Sequence, residues 1–189
     1  MSFEIPVKKK HTAIDLSRFI LEKATPDHCH DICNLVNLTY RGETGWTRET
    51  HIIGGDRTNL SEISAALTKP DAQFFVVYLE RLLAACIYLA REQQVDQKHA
   101  YIGFFSVHPD FQNHGIGKHM LQQAETIAKQ QLQVRRMVMF VVSQRHELIA
   151  FYQRRGYQRT NRIEEYPAHL GIGIPRVDGL TIEYLEKLV

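Results

Sequence analysis

Cysteine is scarce in this chain, with three among 189 residues. An odd number without framework spacing excludes a disulfide scaffold and suits a reducing compartment. A dominant charge is missing too. Lysine and arginine total 23 against 21 aspartate and glutamate, a formal net charge of +2. That is too small to argue for nucleic-acid binding. Lys8-Lys9-Lys10 is the only basic run near a terminus and reads as a solvated tail. No apolar stretch is long enough to cross a membrane. The N-terminus lacks the apolar region and small-residue cleavage site of a signal peptide. A cytoplasmic location is therefore expected. Zinc spacing is absent as well. His28-Cys29-His30 with Cys33 has no second ligand pair, and Cys29, Ile32, Cys33, Val36 and Tyr40 fall on one helix face, so the thiols are read as small core residues and no metal is expected. There is no internal repeat, low-complexity tract or linker.

What remains is an ordinary globular composition, 44% hydrophobic and 23% charged, with enough length for one domain and a real core. Residues 1–18 read as a loosely held extension and 19–189 as the domain. The pattern predicts a strand at 19–23 and a helix at 26–40 opened by Thr25 and Pro26. A glycine- and charge-rich loop follows at 41–58, then a helix at 59–68 capped by Asn59 or Ser61 and stopped by Pro70. Phe74 to Leu79 and Leu82 to Ala90 form a hairpin through Glu80-Arg81, and 91–98 is a polar turn. Then come strand 101–107, helix 115–131, strand 136–142, a helix at 146–155 with Ser143 as a plausible cap, and a strand at 181–186. Residues 166–176 are rich in glycine and proline, read as a loop, and are a second candidate wall of a substrate pocket besides the loop at 40–58. Strands and helices in this order suit an α/β sheet with helices on both faces.

Residues 107–118, Val-His-Pro-Asp-Phe-Gln-Asn-His-Gly-Ile-Gly-Lys, carry the chemistry. An apolar strand ends at Pro109, a loop follows, and a helix opens on Gly115 and Gly117. Glycine lets backbone approach a ligand closely, and the first N–H groups of a helix are unpaired at the positive end of its dipole. Such a loop suits a pyrophosphate. It is not a Walker loop, because Lys118 is followed by His119, and it lacks the third glycine of a dinucleotide fingerprint.

Gln112-x-x-Gly115-x-Gly117 resembles the Gln/Arg-x-x-Gly-x-Gly/Ala signature of the GCN5-related N-acetyltransferase (GNAT) superfamily, whose loop holds the pyrophosphate of acetyl-CoA. Phe151-Tyr152-Gln153-Arg154-Arg155-Gly156-Tyr157 resembles that family's aromatic-Tyr-x-x-x-Gly-Phe/Tyr ending, in the same order and one helix and one strand later. The resemblance implies a mixed, centrally splayed sheet of about seven strands with helices on both faces. It implies acetyl-CoA as co-substrate, held by Phe105, Val107, Gln112, Asn113, His114, Gly115, Ile116, Gly117, Lys118 and Tyr152. Tyr152 stands at the position of a general acid, and a backbone N–H at Ser106 or Val107 would polarise the thioester carbonyl.

Two departures stand out. Many relatives carry a carboxylate on the strand equivalent to 101–107, and this strand has no Asp or Glu. Glu43, Glu49, Asp56, His108 or a water chain are the alternatives, or an amine that arrives neutral. Arg145 stands where many relatives have Asn. Specificity is expected from the 41–58 loop, with Tyr40, Arg41, Glu43, Trp46 and Arg57 as substrate-binding candidates, since Arg clamps carboxylates and Trp walls a pocket. The expected activity is acetyl transfer by direct attack of a small-molecule primary amine, an amino acid or its derivative being one option. A protein or peptide acetyltransferase and a non-catalytic acyl-CoA sensor are the alternatives. No nucleic acid or membrane partner is expected, and a homodimer stays open.

Overall fold

The computed structural model describes residues 14–94 and 97–189. Lys8–Lys10 and most of the 1–18 extension lie outside them. Of that extension, Leu16–Arg18 forms a 3-10 turn whose cap is Asp15, accepting from the Ser17 N–H. Ile14 and Leu16 pack against the larger core cluster.

Four helices and nine strands follow. β1 is Glu22–Lys23, α1 Cys29–Arg41, β2 Ile53–Gly54 and α2 Leu60–Thr68. β3 is Ala72–Leu79, β4 Leu82–Gln94, β5 Gln97–Val107 and α3 Ile116–Gln130. β6 is Arg136–Val142, α4 His146–Gln153, β7 Gln158–Glu165, β8 Ile174–Pro175 and β9 Thr181–Leu188. Seven strands form one sheet in the order β1-β3-β4-β5-β6-β9-β7, and β2 pairs with β8 separately. Among the described residues no helix is long and apolar enough to cross a membrane.

Strand alternation sends successive side chains to opposite faces and so builds two cores. Phe75, Val77, Ile87 and Leu89 join Met120, Leu121 and Ala124 of α3 and Ile149 and Tyr152 of α4. Phe74, Val76, Cys86 and Tyr88 join Ile32, Leu35 and Val36 of α1 and Ile63 of α2. The apolar stripes of α1 and α3 thus cover opposite faces of one sheet, each large buried side chain contributing about 1.5–3 kcal/mol.

Two features of β5 position everything that follows. The first is a bulge. Cys86 pairs with Ser106 but Tyr88 with Gly103, so β5 gains a residue, and Phe104 takes φ +47°. A bulge re-aims the side chains after it. Ile102 faces α3, Phe104 faces α1, and Phe105 returns to the α3 side. The second is a splay. The parallel pairing of β5 with β6 is confined to Ala100–Met137 and Tyr101–Val138. Both strands run on unpaired with each other to Val107 and Val142.

Several boundaries differ from the sequence pattern. Only Glu22–Lys23 of the 19–23 segment joins the sheet. The Gln123 side chain takes the ladder's place before it, donating to the Phe19 carbonyl (2.6 Å) and accepting from the Leu21 N–H (3.1 Å). The polar segment 91–98 continues the β4–β5 hairpin through Arg91–Ala100 and Glu92–His99 instead of turning. Its polarity marks the place where the strands leave the core. β7 had no alternation to read, because it is a nearly fully exposed edge strand. It is fixed by Arg159–Glu183 (3.1 Å) and by the Tyr184 hydroxyl on Glu164 (2.9 Å). Ser143 does not cap α4. Arg145 occupies the cap position, and the Ser143 hydroxyl accepts from Thr181 instead.

Candidate active site

Two cavities meet inside the splay. The outer one, about 420 Å³, runs from the β5 end past the glycine loop to α4. Its walls include Trp46, Thr47, Gln112, Asn113, Gly115, Gly117 and Lys118 on one side and Glu147, Phe151, Arg154 and Arg155 on the other. The inner one, about 70 Å³, lies between the parting strands, lined by Ile102–Phe105 and Met139–Val142 with Glu49, Arg57, Tyr166 and Ile172. Tyr40, Phe105, Arg145, Leu148 and Tyr152 belong to both.

The loop is built as a cradle. Asn113 has φ +66° and Gly115 φ +82°, a region glycine enters freely and other residues at a cost. The first helical bond of α3 runs from the His119 N–H to the Gly115 carbonyl. Ile116, Gly117 and Lys118 therefore keep N–H groups without an intrahelical acceptor. A Cβ at Gly117 would reach only ordinary contact with Phe151 at 3.4 Å, so the missing side chain leaves space on the cavity wall. The Ile116 side chain is buried in the core, and neither it nor His114 lines either cavity.

Gln112 joins the cradle to the 41–58 loop. Its Nε2 donates to the Val107 carbonyl (2.9 Å) and to Thr47 Oγ1 (3.3 Å), while Oε1 accepts from the Trp46 N–H (3.0 Å). Gly45, at φ +88°, sits where a Cβ would stand 2.9 Å from Gln112 Oε1. Trp46 thereby reaches the Phe151 ring, centroids 5.6 Å apart.

Strand geometry separates Ser106 from Val107. The His108 N–H donates to Ala84 of β4 (2.8 Å). Alternation along an antiparallel ladder then turns the Val107 N–H away from β4, into the splay, and the Ser106 N–H toward β4. The Ser106 hydroxyl is buried and accepts from Thr39 Oγ1 (2.9 Å).

Tyr152 is buried, and burial pushes its phenol well above the ordinary value, with the Tyr40 phenol adding to this and Arg145 and Arg155 opposing. Tyr40 is raised by burial too, against Arg57, and its hydroxyl donates to the Phe105 carbonyl (3.4 Å).

The charged candidates divide. Arg41 does not face a cavity. It grips Glu49 in a buried ion pair and donates to the carbonyls of Gly55 (3.0 Å) and Ile172 (2.9 Å). Glu49 also accepts from Arg145 (3.1 Å), so both its carboxylate oxygens are engaged by guanidiniums. Glu43 is exposed and lines neither cavity, its carbonyl accepting from Arg48. Asp56 is exposed, and His108 accepts from the Asp110 N–H (3.3 Å), also away from both cavities. Arg57 lines the inner cavity over the rings of Tyr40 (5.6 Å) and Phe104 (4.9 Å). Leu148 and Arg155 were not singled out from sequence. They stand four before and three after Tyr152, the spacing of one helix face. Tyr166 and Ile172 belong to the 166–176 segment expected as a second pocket wall, and both line the inner cavity. Among the described residues no three His, Cys, Asp or Glu side chains converge as a metal site would need.

The family model described as the acetyltransferase (GNAT) family matches residues 30–157. Solved structures share the fold at low identity. An N-acetyltransferase from Staphylococcus aureus Mu50 is 16% identical, with 90% of this chain and 97% of that chain covered and a TM-score of 0.67. A spermidine N-acetyltransferase from Vibrio cholerae in complex with CoA and spermine is 15% identical, covering 91% and 96%, with a TM-score of 0.66. A GNAT-family acetyltransferase from Streptococcus pneumoniae is 13% identical, covering 90% and 99%, with a TM-score of 0.64.

Proposed function

This chain belongs to the GNAT acetyltransferase family, and from that premise we propose that it transfers the acetyl group of acetyl-CoA to the primary amine of a small molecule by direct attack. The observation that carries the reading is the position of Tyr152 at the junction of two cavities, one opening on an anion cradle and one set between the splayed strands.

The residues fit the co-substrate. The N–H groups of Ile116, Gly117 and Lys118 and the positive end of α3 suit a pyrophosphate, and Lys118 from the loop side and Arg154 and Arg155 from the opposite side add positive charge. The unpaired edge of β5 suits an extended amide-bearing arm. When bound, acetyl-CoA supplies an activated acyl thioester. The Val107 N–H, turned into the splay, would donate to the thioester carbonyl as its oxygen gains charge. Tyr152 holds a proton at its hydroxyl, kept there by burial, for a departing thiolate that gains basicity in the same water-poor space.

Among the described residues Glu49 is the one carboxylate lining the inner cavity, and it is engaged by Arg41 and Arg145 rather than free to act as base. The guanidiniums of Arg57 and Arg145 disfavour a second cation nearby and so favour the neutral amine, the nucleophilic form. Solvent then takes the amine's proton.

The test is thiol release from acetyl-CoA across amino acids, polyamines, aminoglycosides and short peptides, with Tyr152→Phe in parallel. Release with a small amine that drops about 100-fold or more in the variant supports the reading. Acetyl-CoA binding without release from any amine would replace it with a sensor role, and release with peptides alone would move the acceptor to protein.

A further inference from the structure

We propose that the inner cavity is a carboxylate site, so that the acceptor is a small amine bearing a carboxylate, an amino acid or close derivative, anchored by Arg57. This rests on the acetyltransferase reading above and assigns the charge of its acceptor.

Arg57 is the guanidinium of the inner cavity left short of partners, as Arg155 is at its Nε in the outer one. The Arg57 side chain is 12% exposed, and its Nη1 is buried with no hydrogen-bond acceptor among the described residues. Glu62 is the nearest carboxylate, but its Oε1 stands 3.8 Å away, and its Oε2 accepts from the Thr58 hydroxyl at 2.7 Å. A buried charged donor without an acceptor is costly. The guanidinium lies over the rings of Tyr40 and Phe104, contacts that use none of its N–H donors and leave them to a ligand. Planar guanidinium edges match carboxylates in two-point geometry.

The rest of the wall has the same sign. Arg145 also lines the cavity and spends one nitrogen on Glu49. Glu49 is the sole acid among the described lining residues, and both its oxygens are taken. A polyamine would bring cations to this wall with no free carboxylate to receive them. An amino acid brings one carboxylate to Arg57 and one amine toward the junction at Tyr152. The volume, about 70 Å³, favours glycine or alanine over bulky members of the class.

Calorimetric titration of the full chain, saturated with CoA, with N-acetylglycine and N-acetylglycinamide tests this without turnover. The acid is expected to bind at least ten-fold more tightly than the isosteric amide. Arg57→Gln should abolish the difference and Arg57→Lys restore part of it. The acid-to-amide ratio on the unmodified protein decides the matter even if Arg57→Gln does not fold. Equal binding of acid and amide, binding of neither, or preferential acetylation of spermidine over glycine overturns the carboxylate site. Thiol release from glycine and glycinamide alike would do so while leaving the acetyltransferase reading intact. Acid-selective binding with no release from any amine supports the site and removes that reading.

Discussion

Tyr152 illustrates how one side chain serves packing and chemistry together. It closes the α3-side core and borders both cavities. Its raised titration has a consequence for stability with a definite sign. A phenol held protonated in the fold contributes stability that is present below its unfolded value near 10 and lost as pH rises above it. Tyr101 and Tyr157 are raised by burial in the same way. The urea midpoint should therefore hold from pH 7 to 9 and fall between pH 10 and 12, with Tyr152→Phe showing a shallower fall. A midpoint unchanged at pH 11.5 would contradict this. Gly115 is the other residue whose identity is dictated locally. At φ +82° an alanine is strained by about 1 kcal/mol or more, and Gly115→Ala should weaken acetyl-CoA binding several-fold, measured by quenching of Trp46, the only tryptophan. Both residues were legible in the sequence because motif spacing named them. Arg41 and Arg57 were not separable there, since sixteen positions of loop say nothing about which guanidinium finds a carboxylate.

At the scale of elements, the informative unit is the 41–58 loop pinned between β5 and α3. Gln112 makes three hydrogen bonds to backbone and side chain across that junction. Gln112→Ala removes them and should cost about 1.5–4.5 kcal/mol, each net bond being worth about 0.5–1.5 kcal/mol. It should also raise KM for acetyl-CoA and acceptor together and red-shift Trp46 emission. A shift in only one KM would show that the loop does not couple the two cavities. The glutamine was visible as a motif residue, but its tether was not, because its partners lie 65 and 66 positions away. A bulge near the end of this strand followed from the family likeness, but its position at Phe104 was not legible for a related reason. An unbroken apolar run, Tyr101 to Val107, gives no sign of where alternation changes phase, and only the register against β4 reveals it. The helices were easier, since their stripes and caps are local: Asn59 caps α2, and Thr25 caps a 3-10 turn, Pro26–His28, that runs into α1 at Cys29.

Across the whole molecule, a buried chain of charge joins parts far apart in sequence. Arg41 at the end of α1, Glu49 in the loop and Arg145 at the start of α4 form one ion-paired line across the splay. Removing the central carboxylate strands two buried guanidiniums, so Glu49→Ala should destabilise the fold by about 3–5 kcal/mol. That corresponds to a Tm lower by about 6–20 °C at this chain length, and calorimetry would measure it. A Tm within about 2 °C of the unaltered protein would mean that solvent already screens the line. Seven strands and helices on both faces followed from the order of elements and the family likeness. The edge strand β7 did not, because an exposed strand needs no apolar face.

The unpaired half of β5 also sets a clock. Ser106 and His108 turn their amides to β4, while Val107 between them turns its amide to the open seam. In the free protein the Val107 proton should be replaced by deuterium orders of magnitude faster than those of its two neighbours, an odd–even rhythm within three residues. A molecule lying along the seam would take up the missing beat, so that slowing of the Val107 amide alone would mark the moment the sheet gains its borrowed strand.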